Sequence, residues 1–305
     1  MGTARRNRSE PWNAIAALLL FIIMIATGAS SAEENPIPPT LDRIRQTGIL
    51  RIGYGDTPPF SYVGADGAVI GYSIDLCKRV AEELRVQLGL SRLDIEYVPR
   101  TPSNRVQLLN SGTIDIECNA STNTDERRRS VAFAIGHFFA STRYVSLSKN
   151  RLRRIGDLAG RSVSVALGTV NVGHINKVNR ERKLNLLLVP VDSLQAAFDL
   201  VTQERVSAFA MDDVLLSAMI AASGTPDSYA LSDEVLTDPE PYGFMMRLDD
   251  HDFEMAVNAA LRKIYASSEM PKIYERWFTQ PIPGRNINLH LPMSTALKQA
   301  VFAQD

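Results

Sequence analysis

Arg105 is the residue whose type and setting most directly suggest chemistry. It opens the helical part of the stretch PSNRVQLLNSGTIDIECNASTN, residues 102–123. Val106, Leu108 and Leu109 give that short helix an inner face, Ser111 and Gly112 end it, and Ile114, Ile116 and Cys118 alternate with Asp115 and Glu117 as in a strand. The loop 119–123 then leaves at the strand's carboxyl end, where open α/β sheets bind ligands. A guanidinium fork beside backbone N–H groups suits a small carboxylate. The alternative is a solvated helix residue or a structural ion pair, and this stretch alone does not separate the two.

The surrounding elements read as two similar halves. LDRIRQT is a short helix stopped at Gly48, Leu50, Ile52 and Tyr54 alternate as a first strand, and the loop after it carries Phe60 and Tyr62, which either face a ligand or cap the core. Ser73 can cap a helix with Cys77, Val80, Ala81, Leu84 and Leu88 inside, LDIEYV is a second strand, and the Arg105 segment supplies the third. The order β-α-β-α-β implies a mostly parallel sheet with covering helices. Arg127, Arg128 and Arg129 follow Asp125 and Glu126 and read as a solvated, mutually paired run.

After an extended segment, STRYVSLS, the pattern restarts: SVSVA, LNLLLVP and VSAFAM are strands, with helices after GTVN, from SLQAAFDLVTQE and from Asp212 and Asp213 onward. A second extended segment, PYGFMMRL, precedes two closing amphipathic helices, DFEMAVNAALRKIYAS and EMPKIYERWF. Two halves joined by two extended segments predict two lobes: residues 41–144 and 241–305 in a discontinuous first lobe, and 145–240 in an inserted second lobe. The cleft between them is the natural site.

Arg5, Arg6 and Arg8, the apolar run 14–26 and the small residues at Ser30, Ser31 and Ala32 predict a cleaved signal peptide over residues 1–32, with an uncleaved anchor as the alternative. Without that leader the formal charge of −1 falls to about −3, which gives no reason to expect nucleic acid or a basic membrane-binding face. Cys77 and Cys118 lack metal-ligand spacing; they are either one disulfide in an oxidising compartment or two buried thiols.

RIGY with PPFSY, GYSIDLCKRVAEEL, NRVQLLNSGTIDIECNASTNTDERR, DLAGRSVSVALGT, AFAMDD, PYGFMMR and IYERWF resemble, in that order, the periplasmic solute-binding proteins of polar amino-acid ABC importers. The likeness runs over about residues 41–290 and is nearest the glutamate/aspartate-binding branch. It implies the type II periplasmic-binding-protein fold: α/β, with two Rossmann-like lobes joined by a two-segment hinge. It also implies a periplasmic, non-enzymatic protein, expected to be a monomer without cofactor or metal, with a free amino acid and importer permease subunits as partners.

Carried over residue by residue, the α-carboxylate goes to Arg105 with backbone N–H groups near Ser121 and Thr122 and the turn at Thr169. The ammonium goes to Asp212, with Asp213 as the exchange candidate, and to the Ala120 carbonyl. Tyr54 and Phe60 complete the expected ligand set, while Tyr242 and Phe244 are expected in the hinge core. The chain departs from the acidic branch in reading Tyr54, Gly55, Asp56 where a basic residue is expected. Ser193 and Leu194 stand near an expected His, Ala120 replaces a hydroxyl residue, and Pro102 replaces another. A second ligand carboxylate then has no obvious partner, so a neutral or weakly polar amino acid is expected, with glutamate or aspartate as competitor. The competing class is an exported enzyme on the same fold, such as a cyclohexadienyl dehydratase; Glu117 and His137 are the nearby residues to which acid–base chemistry could fall, and His174 reads as a helix residue facing solvent.

Overall fold

The computed structural model describes residues 1–2, 37–285 and 287–302. The expected leader and its cleavage site lie outside the described residues. Among those described, no helix is long and apolar enough to cross a membrane.

The β-branched and apolar runs of the first half assemble a five-stranded sheet in the order Asp94–Pro99, Ile49–Tyr54, Ile116–Glu117, Met245–Arg247, Val131–Phe133. The first three strands run parallel, with Ile52 opposite both Tyr97 and Ile116, and Met245–Arg247 is antiparallel to its neighbours. Helices cover both faces of such a sheet, so its central strand cannot keep one face wet. Asp115 and Glu117, which alternate with the apolar residues, are therefore both buried, and each is met by arginines: Asp115 by Arg43 and Arg51, Glu117 by Arg100.

The second half repeats the design in the order Leu187–Val191, Ser162–Ala166, Ala208–Asp212, Thr142–Leu147, Tyr229–Leu231. Its first three strands are parallel and the last two antiparallel. Between the sheets, Phe138–Ala140 pairs antiparallel with Glu240–Tyr242, so the chain crosses twice through one short ribbon. This is the two-segment hinge. The second sheet takes up the chain at Thr142, a little ahead of the expected 145, and the first sheet recovers it at Met245.

Two local details differ from the sequence reading, and a third selects between the alternatives left open for the cysteines. Helix Tyr72–Gln87 begins at Tyr72 after Gly71, so Ser73 lies inside it and caps nothing. After His251–Tyr265 and Glu269–Phe278 a third helix, Thr295–Phe302, closes the described chain on the buried side chains of Leu297 and Val301. Cys77 and Cys118 are bonded, Cα to Cα 6.4 Å, which ties helix Tyr72–Gln87 to the end of strand Ile116–Glu117 and so to the loop that follows it.

Candidate functional site

The helix Arg105–Asn110 starts where Thr101 and Asn104 bond each other's backbone N–H groups, a local turn that directs Arg105 inward. Only 4 % of Arg105 is exposed. Its Nη1 donates to Ser121 Oγ at 2.8 Å, Ser121 donates in turn to Glu117 Oε2 at 2.7 Å, and Nη2 reaches across the cleft to the Gly168 carbonyl at 3.0 Å. Burial, and then the neighbouring Arg127, push the pKa of the Arg105 guanidinium well below its usual range.

Two further guanidiniums stand beside it. Arg100 follows strand Asp94–Pro99 at the carboxyl end of the sheet and brings Nη2 to 2.5 Å from Glu117 Oε1. Arg127 donates Nη1 to the Thr122 carbonyl and Nη2 to Gly168 O, both at 3.0 Å. This corrects the reading of 127–129 as a solvated run: Arg128 does pair outside with Asp125, but Arg127 turns into the cleft. Glu117, completely buried, serves this cluster. Burial alone would raise its pKa, yet Arg100, Arg105, the Ser121 hydroxyl and Arg127 together hold it below the usual carboxylate range.

The opposite wall is built on Asp212, last residue of strand Ala208–Asp212 and 4 % exposed. Its carboxylate accepts from Asn171 Nδ2 at 2.7 Å, from the Tyr242 hydroxyl in a short bond, and from Thr142 Oγ1 at 3.5 Å. Asp213 instead accepts from the Val214 and Ser141 N–H groups and lines a different crevice, so of the two acids Asp212 faces the cleft. Burial, and then Asp212, raise the Tyr242 phenol far above its ordinary range, so this hydroxyl stays a donor. Tyr242 thus has a polar role besides the hinge packing expected of it.

Arg105, Ala120, Thr122, Thr169 and Asp212 all line one cavity, with Ser121 directly behind Arg105. The loop is tied to the hinge through Ser121 O and Asn123 N–H, which in an antiparallel ladder turns the Thr122 backbone groups the other way. Thr169 sends its hydroxyl back to Ala166 O rather than capping helix Asn171–Arg182. Tyr54 and Phe60 are not brought to the cavity. Tyr54 packs edge-on to Tyr97 at 6.2 Å, and Phe60 is fully buried among Tyr72, Phe138, Tyr242 and Phe278, because the loop folds its aromatic ring under the hinge.

The space between the walls measures about 20 Å³, roughly one water. The walls approach closely at Gly168, φ +76°, where a Cβ would stand 2.6 Å from the Pro102 carbonyl oxygen. Only glycine fits both that backbone and that contact.

The residues weighed for acid–base chemistry are occupied. His137 is fully buried with Nε2 on Asn119 O at 3.2 Å, and burial pulls its pKa down to about 3. His174 sits between Thr142 Oγ1 at 2.8 Å and Glu240 Oε2 at 3.4 Å. Sequence reasoning missed Arg100, Arg127 and Asn171 as cleft groups; Arg100 carried a signal, since it follows a strand at the same sheet end as the loop 119–123.

An L-glutamate/L-aspartate-binding protein of Pseudomonas aeruginosa is 34 % identical over 287 residues, 93 % of this chain and 95 % of that protein. A glutamate/aspartate import solute-binding protein of Escherichia coli is 31 % identical over 291 residues, 93 % and 95 % of the two chains. Among solved structures, an ancestral arginine-binding protein bound to arginine superposes with a TM-score of 0.68 at 28 % identity, over 76 % of this chain and 98 % of that one. Residues 50–280 match the model of the bacterial extracellular solute-binding proteins, family 3, and the chain, with its two lobes, double crossing and polar cleft, belongs to that family.

Proposed function

We propose that this protein is the exported, monomeric binding component of an ABC importer, and that it captures a free amino acid between its lobes and releases it unchanged to permease subunits in the membrane. The observation that carries this reading is the division of charge across the cleft: guanidiniums on one wall and a single cradled carboxylate on the other. A zwitterion is buried without large loss only where each end meets a partner, since an unpaired buried ion costs several kcal/mol. The α-carboxylate goes to Arg105 and the Thr122 backbone, the ammonium to Asp212 and the Ala120 carbonyl. A ligand holding both ends favours closure, and one lacking either end does not.

A second ligand carboxylate, for which the sequence offers no obvious partner, has candidate partners in the folded chain. Arg100, Arg105 and Arg127 line the cavity against Asp212, with Glu117 behind them. Glu240 stands at the rim and faces His174 at 3.4 Å; burial and then Asp212 raise its pKa above the ordinary carboxylate value. A positive excess of this kind is best met by a net-negative amino acid, which agrees with the glutamate/aspartate names of the relatives. Calorimetric titration of the mature protein against the twenty amino acids tests the proposal. Tight binding confined to glutamate and aspartate is expected, and tight binding of neutral amino acids with none of the acidic pair would overturn the ligand class.

A further inference from the structure

The three cleft guanidiniums are not equivalent. Arg105 has hydrogen-bond acceptors in Ser121 and Gly168, and Arg127 in Thr122 and Gly168. Arg100 has its ion pair with Glu117, while its buried Nε meets no acceptor at all. A buried guanidinium donor with no acceptor is costly and calls for an explanation, and at a cavity wall a partner from outside the chain is one that fits. Only 8 % of Arg100 is exposed, yet it lines the cavity.

Its reach depends on Gly55. The chain turns away from strand Ile49–Tyr54 at that residue, and a Cβ there would stand 2.9 Å from Arg100 Nη1 and 2.7 Å from Asn119 Nδ2. Glycine at 55 therefore leaves room for a guanidinium that arrives from the neighbouring strand, where Arg100 N–H donates to the Tyr54 carbonyl. Glu117 then steers that guanidinium through Oε1, which Arg105 Nη1 also approaches at 3.9 Å, while Ser121 donates to the other oxygen, Oε2.

We propose that Arg100, accommodated by Gly55 and oriented by Glu117, is the specificity-determining group that receives the side-chain carboxylate of an acidic amino acid. The inference rests on the amino-acid-binding reading above and adds which residue separates an acid from its amide. Arg105 and Asp212 hold what all amino acids share. Arg100 reads what distinguishes them.

The test is the ratio of L-glutamate to L-glutamine affinity, measured by calorimetry on wild type, Arg100→Gln and Gly55→Ala. Arg100→Gln should lower that ratio about 30-fold or more, the low end of what losing one member of a buried charge pair costs, by weakening glutamate while glutamine changes little. Gly55→Ala keeps the guanidinium but pushes it aside, so it should lower the ratio in the same direction by a smaller factor. That variant decides the matter if Arg100→Gln fails to fold around an unpaired Glu117. A wild type that binds neither amino acid overturns the underlying reading. A wild type that prefers glutamate, with the ratio unchanged in folded variants, overturns the role of Arg100 alone.

Discussion

The two walls of the cleft solve opposite problems in different ways. On the first lobe, Arg100, Arg105 and Arg127 crowd around Glu117, so like charges face one another, and burial adds to the strain on Arg105. On the second, Asp212 is alone among neutral donors, Asn171, Thr142 and Tyr242, which satisfy its oxygens without cancelling its charge. The first wall is relieved when an anion arrives. The second stays formed and waits for a cation. Recognition should therefore be more sensitive to damage on the arginine side, where a lost group changes a coupled cluster, than on the aspartate side, where the cradle persists.

The largest expected effect breaks the first wall at its centre. Arg105→Ala should weaken L-glutamate binding by roughly 2–5 kcal/mol, because the ligand's α-carboxylate would be buried without its cation. Affinity within experimental error of wild type would remove Arg105 from the site. Asp212→Asn keeps an acceptor at the same place but not the charge, so a loss of about 2–3 kcal/mol is expected, the scale of one charged hydrogen bond. Should that variant prove worse than Arg105→Ala, the ranking of the two walls is inverted.

Acidification sharpens the contrast, since the groups beside the first wall are held in their non-protonated forms. His137 has a folded pKa of about 3 against an unfolded value of about 6.5, so its contribution is complete above pH 6.5 and declines as the pH falls toward 3. Glu117, also depressed in the folded protein, adds a loss that begins lower, as pH falls through the ordinary carboxylate range. Urea unfolding at successive pH values should show stability falling by up to about 1.4 kcal/mol per pH unit for one proton below pH 6, and His137→Gln should flatten the upper part of that limb. A limb unchanged by the substitution would assign it elsewhere. The smallest effect is expected for Arg127→Met. Its side chain is only half-buried and its loss leaves Arg105 on Gly168, so about 1 kcal/mol of binding should go, less at high salt.

The fold was legible where pattern and burial coincide. The alternation in Leu50, Ile52 and Tyr54, its repeat in SVSVA, and the two extended crossings carry the two lobes and the ribbon between them. Asp212 was visible as an acid closing a strand at the ligand-binding end of a sheet. What pattern could not carry was any contact made by a long side chain across the cleft. Arg127 looks like Arg128 and Arg129 until the Gly168 loop of the other lobe supplies its acceptor, a neighbour 41 residues away. Phe60 reads as a loop aromatic, and only the crossing of the hinge strands over it makes it core. Arg100 and Gly55 explain each other in space, which neither residue reveals alone.

Recognition requires one molecule to touch Arg105 and Asp212 together. Calorimetry with L-glutamate, with glutarate, which lacks the amino group, and with 4-aminobutyrate, which lacks the α-carboxylate, tests it most directly. The account predicts tight binding of L-glutamate and a loss of about 100-fold or more for each truncated compound, the factor that about 2.7 kcal/mol of missing charge pairing represents. Either compound binding as tightly as L-glutamate would contradict it.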